Sequence, residues 1–526
     1  MAAAVLSGVG SGCYSYDPLY CTRDADCADQ AVRTYCDSQG VHRASDYVAH
    51  TCIAPPEHSV ALEVTDDIHE LRVGDTISIE VRVTRSEGFK EPVEITAGTS
   101  SSLQAEAVTI AGDADVSTLT VRADADAPFG PTSLGLHATM AGATTDANIN
   151  LFLIGQPGHV DESFGSAAGS VLLDVLRDAK DGVATVFAQG DKIVVVLHSL
   201  QLFRFTQQGA LDRTFGVDGR AAPILFSYAI PSVTSVAGTV DSDGRLLFAL
   251  AATSSDGSAD LALVRLTIDG QLDPTFVPHL VDTHPHHQLP QVISELPDGR
   301  IVVLGHDGDM TGRNDRSIIW CFDRDGNLDG QRRELGEDTV YVLYGAIIQD
   351  DGRIVFEGIA DNRVSRLNLD GSIDRSFPEV TLPSPNGIPA RWTIARRVGD
   401  RILFAGNRAD NFAAVWRLTA SGEVDASFGG EGFVVIPKSS KFDPEIVLGM
   451  HDLQGGDVLG FIQAERPKLF RVKVDGALDT SFGIDGTMQD SVMWYPGKMA
   501  LLGRHGVALV GLDEPRRRLM VRRYWY

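Results

Sequence analysis

From residue 57 to residue 156, apolar and polar residues alternate along short segments that Gly and Pro residues separate. In the clearest segment, 76–83, four aliphatic side chains fall on one face and polar side chains on the other. Alternation with a period of two is typical of β-strands that bury one face. About a hundred residues with some seven such strands predict a β-sandwich.

The predicted sandwich resembles the bacterial immunoglobulin-like domains of secreted proteins. The stretches that carry the resemblance are 74–76, 85–89, 92–95 and 127–130. The segment contains no cysteine, so it lacks the inter-sheet disulfide of antibody domains. The resemblance implies a module that spaces or presents a neighbouring domain.

The remainder of the chain repeats one motif: Gly, any residue, an aliphatic residue, Asp, any residue, Ser or Thr, and Phe. Six copies are complete, and one copy, at 326–332, has Arg332 where the others have Phe. The motif aspartates lie 45 to 61 residues apart, which indicates an array of structural units. In chain order they are Asp161, Asp212, Asp273, Asp329, Asp374, Asp425 and Asp479.

Two further elements recur between successive motifs. One is a turn, often Asp-Gly-Arg, followed by an aliphatic strand, and it occurs seven times. The other is an arginine flanked mostly by apolar residues, which precedes five motifs and recurs at the chain end, 521–526. A unit of about fifty residues with three or four strands cannot bury its apolar face alone, so the units must stack. Stacking in a ring protects the sheet edges.

These motifs resemble the bacterial delta-60 repeat, a β-propeller-like repeat, over residues 160–526. The resemblance implies a propeller, and the seven aliphatic strands predict seven blades. We therefore expect an all-β chain with an immunoglobulin-like β-sandwich at 57–156 and a seven-bladed β-propeller at 157–526. The segment 151–154 fits either the last sandwich strand or a strand that closes the first blade.

The motif residues are expected to have structural roles. The Asp and the Ser or Thr two positions later can close a side-chain-to-backbone turn, and the Phe is expected to pack between adjacent blades. The copy at 326–332 lacks Phe and predicts an irregular blade. Because the sequence shows no basic neighbour that would lower the pKa of its thiol, Cys321 is expected to be a buried and inert filler there.

Five of the six cysteines lie within the first 52 residues. Cys21, Cys27, Cys36 and Cys52 are too widely spaced for the paired thiolates of a zinc site, which favours disulfides in an oxidising compartment over bound zinc. Four cysteines allow three pairings, and the sequence does not choose between them. The polar segment 13–56 is expected to need these cross-links in order to fold.

Residues 1–12 are small and apolar and resemble the end of a bacterial lipoprotein signal peptide. The resemblance implies lipid attachment at Cys13; the alternative is a frayed tail with Cys13 as a free thiol. No apolar run of 18 or more residues occurs elsewhere, so we expect a lipid anchor to be the only membrane attachment. The expected location is the cell envelope, at the outer membrane or cell surface, or the exterior as a secreted protein.

The net charge and the motifs of the chain limit the functions that can be expected of it. A net charge of −26 argues against a nucleic-acid partner. The loop 323–329, with Glu334 beyond it, has oxygen ligands at alternate positions as in a calcium loop, but a hairpin turn is favoured because the same turn recurs in other repeats. We expect no cofactor, since no motif for phosphate binding, metalloprotease or serine hydrolase chemistry occurs. A histidine cluster could bind zinc, although its prolines favour an exposed loop; its residues are His279, Asp282, His284, His286 and His287.

Together these features predict a non-catalytic binding or interaction scaffold, monomeric, at the cell surface or in the periplasm, with an unknown protein or glycan ligand. Two alternatives stay open. One is a propeller enzyme that acts on polysaccharide, as a glycoside hydrolase or lyase, which as a hydrolase would need two neighbouring carboxylates. The other is a calcium-dependent adhesin.

Overall fold

The computed structural model is all-β, and the residues that it describes contain no α-helix. Accordingly, the described part holds no helix that could span a membrane. The chain divides into two compact units, Met1–Ile154 and Gly155–Tyr526. The described residues are 35–37, 51–53, 59–65, 67–86, 89–166, 168–174, 182–221, 233–253, 258–276, 279–281, 287–308, 316–330, 333–335, 345–357, 363–383, 390–408, 412–438, 445–513 and 518–526.

The first unit begins with two short antiparallel strands, β1 (Tyr35–Asp37) and β2 (Thr51–Ile53). Their register places Cys36 opposite Cys52. Cys13, Cys21 and Cys27 lie outside the described residues. Lipid attachment at Cys13 and the disulfides therefore stay predictions.

Two sheets with a shared hydrophobic core make up the rest of the first unit. Alternate residues of the strand Thr76–Arg85 are buried along most of its length, as the period of two in the sequence predicts. The segment 151–154 ends a strand of this unit, which settles the choice that the sequence left open. All paired neighbours are antiparallel except β4 and β11. The sheet orders are β3-β5-β9-β7 and β4-β11-β10-β6-β8, with β3 (Val60–Val64), β4 (His69–Arg72), β5 (Thr76–Arg85), β6 (Val93–Ala97), β7 (Leu103–Ala105), β8 (Val108–Ile110), β9 (Val116–Ala123), β10 (Gly130–Met140) and β11 (Ala143–Ile154).

The second unit is built from four-stranded antiparallel sheets, of which its described residues form seven. Sheets 1 to 3 are β13 (Val183–Gln189), β14 (Lys192–Leu197), β15 (Leu202–Phe205), β16 (Arg220–Ala221); β17 (Val233–Val240), β18 (Leu246–Thr253), β19 (Ala259–Leu266), β20 (His279–Val281); and β21 (His287–Glu295), β22 (Ile301–Gly308), β23 (Arg316–Phe322), β24 (Arg333–Glu334).

Sheets 4 to 6 have the same order of strands. They are β25 (Ile347–Ile348), β26 (Ile354–Glu357), β27 (Arg363–Leu367), β28 (Val380–Thr381); β29 (Ala390–Val398), β30 (Arg401–Arg408), β31 (Ala413–Leu418), β32 (Phe433–Val435); and β33 (Ile446–Asp452), β34 (Val458–Gln463), β35 (Lys468–Val472), β36 (Thr487–Gln489).

Sheet 7 combines strands from both ends of the unit. Its order is β12 (Ser170–Leu173), β39 (Leu519–Trp525), β38 (Gly506–Leu512) and β37 (Tyr495–Leu502). The strand nearest the start of the unit thus supplies the fourth strand of the last sheet. The contact extends into the first motif, where the Asp161 backbone N–H donates to the Arg523 carbonyl at 2.9 Å.

The sheets are arranged like the blades of a propeller. The first strands contact one another from β13 through β17 to β21, and from β25 through β29 and β33 to β37 and back to β13, so they converge on the interior. The fourth strands lie at the far side of each sheet. Seven hydrophobic clusters each combine residues of two consecutive sheets, and one of them joins sheet 7 to sheet 1. This stacking buries both faces of each sheet, which a single unit cannot do alone.

Candidate functional site

The motif residues form one network in each repeat, and sheet 1 shows it clearly. The Asp212 carboxylate accepts hydrogen bonds from the Thr214 backbone N–H at 3.2 Å and hydroxyl at 2.8 Å, which confirms the predicted turn. Its other oxygen accepts from Arg204 Nε at 2.7 Å. The Arg204 guanidinium also lies over the ring of Phe215, 4.6 Å from its centroid, and Phe215 is buried between sheets 1 and 2. Phe therefore packs between sheets, as predicted.

The ion pair of this network recurs in the other five complete repeats. In the five repeats with the pair in sequence order, the arginine stands eight residues before the aspartate. That constant spacing is the signal in the sequence that the two side chains meet. The pairs and their N–O distances are Arg265–Asp273 at 2.7 Å, Arg366–Asp374 at 2.8 Å, Arg417–Asp425 at 2.9 Å, Arg471–Asp479 at 3.2 Å and Arg523–Asp161 at 2.6 Å.

In five of the repeats these contacts lower the pKa of the motif aspartate and hold it in its charged form. Hydrogen bonds from Ser376, helped by Arg366 and opposed by burial, lower the pKa of Asp374 to about 2. For Asp273, burial raises the pKa, but the hydrogen bonds from Thr275 and Arg265 outweigh it and the pKa is lowered. An aspartate that is ionised, buried and fully engaged in this way has a structural role rather than a catalytic one.

In the copy that lacks Phe, other residues make the contacts of the motif arginine and phenylalanine. Cys321 stands where the arginine would be, eight residues before Asp329. Arg333 Nη1 donates to the Leu369 carbonyl at 2.9 Å and so links sheet 3 to the next sheet. In the preceding repeat, Arg265 makes the equivalent link by donating to the Arg324 carbonyl. In the cluster between sheets 3 and 4, Leu335 takes the position of the motif phenylalanine. The two-residue strand β24 does not set this sheet apart, since β16 and β28 have two residues as well, and the irregular blade stays a prediction.

Cys321 is buried, as expected, but one premise of that expectation was wrong. Arg333 Nη1 lies 2.8 Å from the sulfur, so the thiol has a basic neighbour. Burial raises the pKa of the Cys321 thiol, and the nearby Arg333 and Arg300 charges only partly offset the increase. The thiol therefore stays protonated and poorly nucleophilic near neutral pH.

The predicted loop at 323–329 is a hairpin turn. One oxygen of the Asp323 carboxylate accepts from the backbone N–H groups of Asp325 and Asn327 at 3.0 and 2.8 Å, and the other from the Asn327 amide. Of the histidine cluster, His279 begins β20 and His287 begins β21, while Asp282, His284 and His286 lie outside the described residues. Within the described part, no group of three or more His, Cys, Asp and Glu side chains could hold a metal ion.

A groove of about 540 Å³ lies beside β12. Part of its lining comes from the segment 491–494 between β36 and β37, where Val492 and Met493 expose 39% and 43% of their surface. Leu172 and Met520 add apolar surface from β12 and β39. None of these residues belongs to the repeated motifs, so the sequence repeats gave no signal for this groove.

Charged groups of both signs complete the groove. The exposed Glu162 lies at one side, and the Asp513 carboxylate accepts from Arg518 Nε at 2.8 Å at another. A groove that combines an apolar surface with charges of both signs can bind a peptide or a glycan.

A buried network of hydrogen bonds and an ion pair connects the groove to sheet 7. The Asp490 carboxylate accepts hydrogen bonds from Trp494 Nε1 at 3.1 Å and from the Tyr524 hydroxyl at 2.5 Å, and it forms an ion pair with Arg522, whose Nε lies 3.0 Å away. Arg522 also donates to the Ser170 hydroxyl of β12 at 2.7 Å. Burial raises the pKa of the Tyr524 hydroxyl, which keeps it protonated as a donor. The network ties the segment 491–494 to the strands of sheet 7.

Comparisons with known proteins bear on the fold. Three segments, 242–276, 296–330 and 349–377, match a family described as "Domain of unknown function (DUF5122) beta-propeller". They fall in sheets 2, 3 and 4, and each runs from the turn before a second strand into the following motif. No curated protein matches this chain.

The solved structures that match this chain have low sequence identity and low TM-scores. A quinonprotein alcohol dehydrogenase-like protein from Bacteroides thetaiotaomicron is 9% identical with a TM-score of 0.27, over 81% of this chain and 96% of that one. An acylaminoacyl peptidase from Pyrococcus horikoshii is 11% identical with a TM-score of 0.37, over 68% and 54%. A GH43 protein from Bacillus licheniformis is 10% identical with a TM-score of 0.27, over 68% and 59%. Sheet arrangement and family match together identify the unit Gly155–Tyr526 as a β-propeller domain.

Proposed function

We propose that this chain is a non-catalytic binding scaffold of the bacterial cell envelope whose propeller holds a protein or glycan ligand in the groove beside β12. In this proposal the second unit is a seven-bladed propeller and the two sheets of the first unit form an immunoglobulin-like sandwich. The seven four-stranded sheets and the closed cycle of seven clusters support the blade count.

The groove is the observation that carries the proposal. The repeated Asp, Arg and Phe residues are already engaged in holding neighbouring sheets together. Val492 and Met493 of the groove lie outside the repeated motifs and are partly exposed beside charged groups. Apolar side chains on a rigid support give binding energy, while neighbouring charges give orientation.

The cellular location of the protein is part of the proposal. Lipid attachment at Cys13 and disulfides among Cys21, Cys27, Cys36 and Cys52 would place the chain, as a monomer, on the membrane surface with the propeller free to bind. Mass spectrometry of the mature N-terminus tests the anchor. A diacylglyceryl mass on Cys13 supports it, and a mature N-terminus with an unmodified Cys13 contradicts it.

Binding without turnover is tested with the full chain on arrays of envelope glycans and peptides. The test variant is Val492→Asp, which puts a charge on the apolar surface of the groove. Val217→Asp is the matched control, since Val217 is 75% exposed and lies in a turn of sheet 1. We expect the wild type and V217D to bind the same array member and V492D to bind it at least tenfold more weakly. Equal binding by V492D would contradict the role of the groove.

An enzyme that acts on polysaccharide is the second candidate, because Glu162 and Asp513 are two carboxylates on the same groove. Hydrolases of glycosidic bonds use such a pair as acid and as base or nucleophile. The same array members are incubated with the full chain and analysed for shortened products. Sustained product formation that Glu162→Gln abolishes would replace the scaffold proposal by this one.

A further inference from the structure

Three neighbouring inner strands each carry a basic side chain toward the same region. Arg396 lies in β29, His451 in β33 and Lys498 in β37. The strand β29 contacts β33, and β33 contacts β37, within the ring of first strands. The three side chains therefore belong to sheets 5, 6 and 7 and not to the groove.

Hydrogen bonds across the strands bring these side chains close together. Arg396 Nε donates to the Met450 carbonyl at 3.3 Å, next to His451 in the sequence. His451 Nε2 donates to the Met499 carbonyl at 3.3 Å, next to Lys498. Each contact joins one cation to the strand that carries the next one. Since Nε2 of His451 is the donor, Nδ1 is left to accept a proton.

The site is enclosed by protein but open to water. Arg396 and Lys498 keep large solvent-accessible surfaces. Yet desolvation by the surrounding protein lowers the pKa of both groups, and the Arg396 charge lowers that of Lys498 further. A ligand could therefore reach both side chains from solvent, in surroundings that weaken their hydration.

The charges in this space are not balanced. Among the described residues, neither Arg396 nor Lys498 forms an ion pair, and Asp452 is the carboxylate whose charge acts on Arg396 and His451. Desolvated like charges destabilise a fold unless an anion compensates them. In a chain of net charge −26, this concentration of positive charge is a local exception.

We propose that Arg396, His451 and Lys498 bind a tetrahedral oxyanion, the phosphate or sulfate group of a ligand that enters the ring of inner strands. Nε and Nη1 of Arg396 donate to the Met450 and Ala395 carbonyls, which leaves Nη2 to donate to the anion; the Lys498 ammonium supplies a point charge, and the uncharged imidazole can accept a hydrogen bond from a protonated oxygen of the anion. The site uses other residues than the groove, so the inference goes beyond the proposed function and stands or falls separately.

The test is isothermal titration calorimetry of the full chain at pH 7.5 with inorganic phosphate and with inorganic sulfate, with sodium chloride holding the ionic strength constant. We expect saturable binding of at least one of the two anions, and the tighter one identifies the group that the ligand carries. Arg396→Gln and Lys498→Gln should each weaken binding at least tenfold.

Arg397→Gln is the matched control. Arg397 adjoins Arg396 on the same strand but pairs with Asp350, and its replacement should change the affinity less than twofold. Because Lys498 makes no hydrogen bond or ion pair within the described residues, K498Q should fold even if R396Q does not. Absence of saturable binding of both anions would overturn the proposal, as would equal affinity in the wild type and K498Q.

Discussion

The strand that closes the propeller should depend on one buried ion pair. Arg523 Nη1 lies 2.6 Å from Asp161 Oδ2, and the two side chains are 8% and 0% exposed. The pair joins the first motif to the last strand, beside the pairing of β12 with β39. The perturbation is Asp161→Asn, which keeps an oxygen for the Ser163 hydrogen bonds but turns an amide group toward the guanidinium.

The expected cost follows from the burial of Arg523. Removing one partner of a buried pair typically costs about 3–5 kcal/mol because the other charge is left uncompensated. We expect about 3 kcal/mol, since the Ser163 contacts survive. The unfolding entropy of a unit of this size is roughly 0.8 kcal/mol/K, so Tm should fall by about 4 °C.

Two controls separate closure from general stability. Glu379→Gln breaks the exposed pair with Arg363, which is worth at most about 1 kcal/mol. Asp425→Asn breaks the equivalent buried pair with Arg417 inside the array. Hydrogen exchange should accelerate in β12 and β39 in D161N but not in D425N. Unchanged exchange in β12, or a Tm for D161N equal to that of E379Q, would refute the reasoning.

Three further predictions concern single groups. Cys321 should resist thiol reagents in the native protein and react after unfolding, because burial raises the pKa of its thiol; peptide mapping after labelling checks this, and rapid native labelling would contradict it. Burial and the Arg396 charge lower the pKa of His451 from its ordinary value of about 6.5 to about 4. Between these two pH values the unfolded chain therefore binds a proton that the folded chain does not. Stability should therefore fall between pH 6.5 and pH 4, by at most about 3 kcal/mol from this group, and urea unfolding should show a smaller loss in His451→Gln; an equal loss would contradict the assignment. Calcium or a chelator should leave Tm unchanged, since backbone and side-chain donors already occupy the Asp323 carboxylate; a calcium-dependent rise in Tm that Asp323→Asn removes would favour adhesion instead.

The parts of the fold that the sequence predicts are those with a periodic signal. The alternation in residues 76–83 marks β5, and the recurring Asp, Ser or Thr, and Phe mark the turns and the packing between sheets. The closing strand β12 was not predictable from the pattern, because its four residues pair with β39 across the whole length of the unit. The sequence likewise did not show that Arg333 replaces the motif arginine, since Arg333 comes from another position in its repeat.

The candidate sites were missed for a related reason. A repeat identifies what successive units share, whereas a ligand site in a ring is made from what single units have alone. Val492 and Met493 occur in one connecting segment, and Arg396, His451 and Lys498 come from three different sheets.

The interface between sheets 3 and 4 shows how much change such a ring tolerates. There the motif arginine and phenylalanine are both replaced, yet Arg333 restores the link to the next sheet and Leu335 fills the apolar position. The packing therefore requires a donor and an apolar side chain at given places in space, whatever their place in the sequence. No comparable packing requirement explains the charges of Arg396 and Lys498, which form no ion pair within the described residues. Because unpaired desolvated charge destabilises a fold, its presence on adjacent inner strands is better explained by a bound anion than by stability.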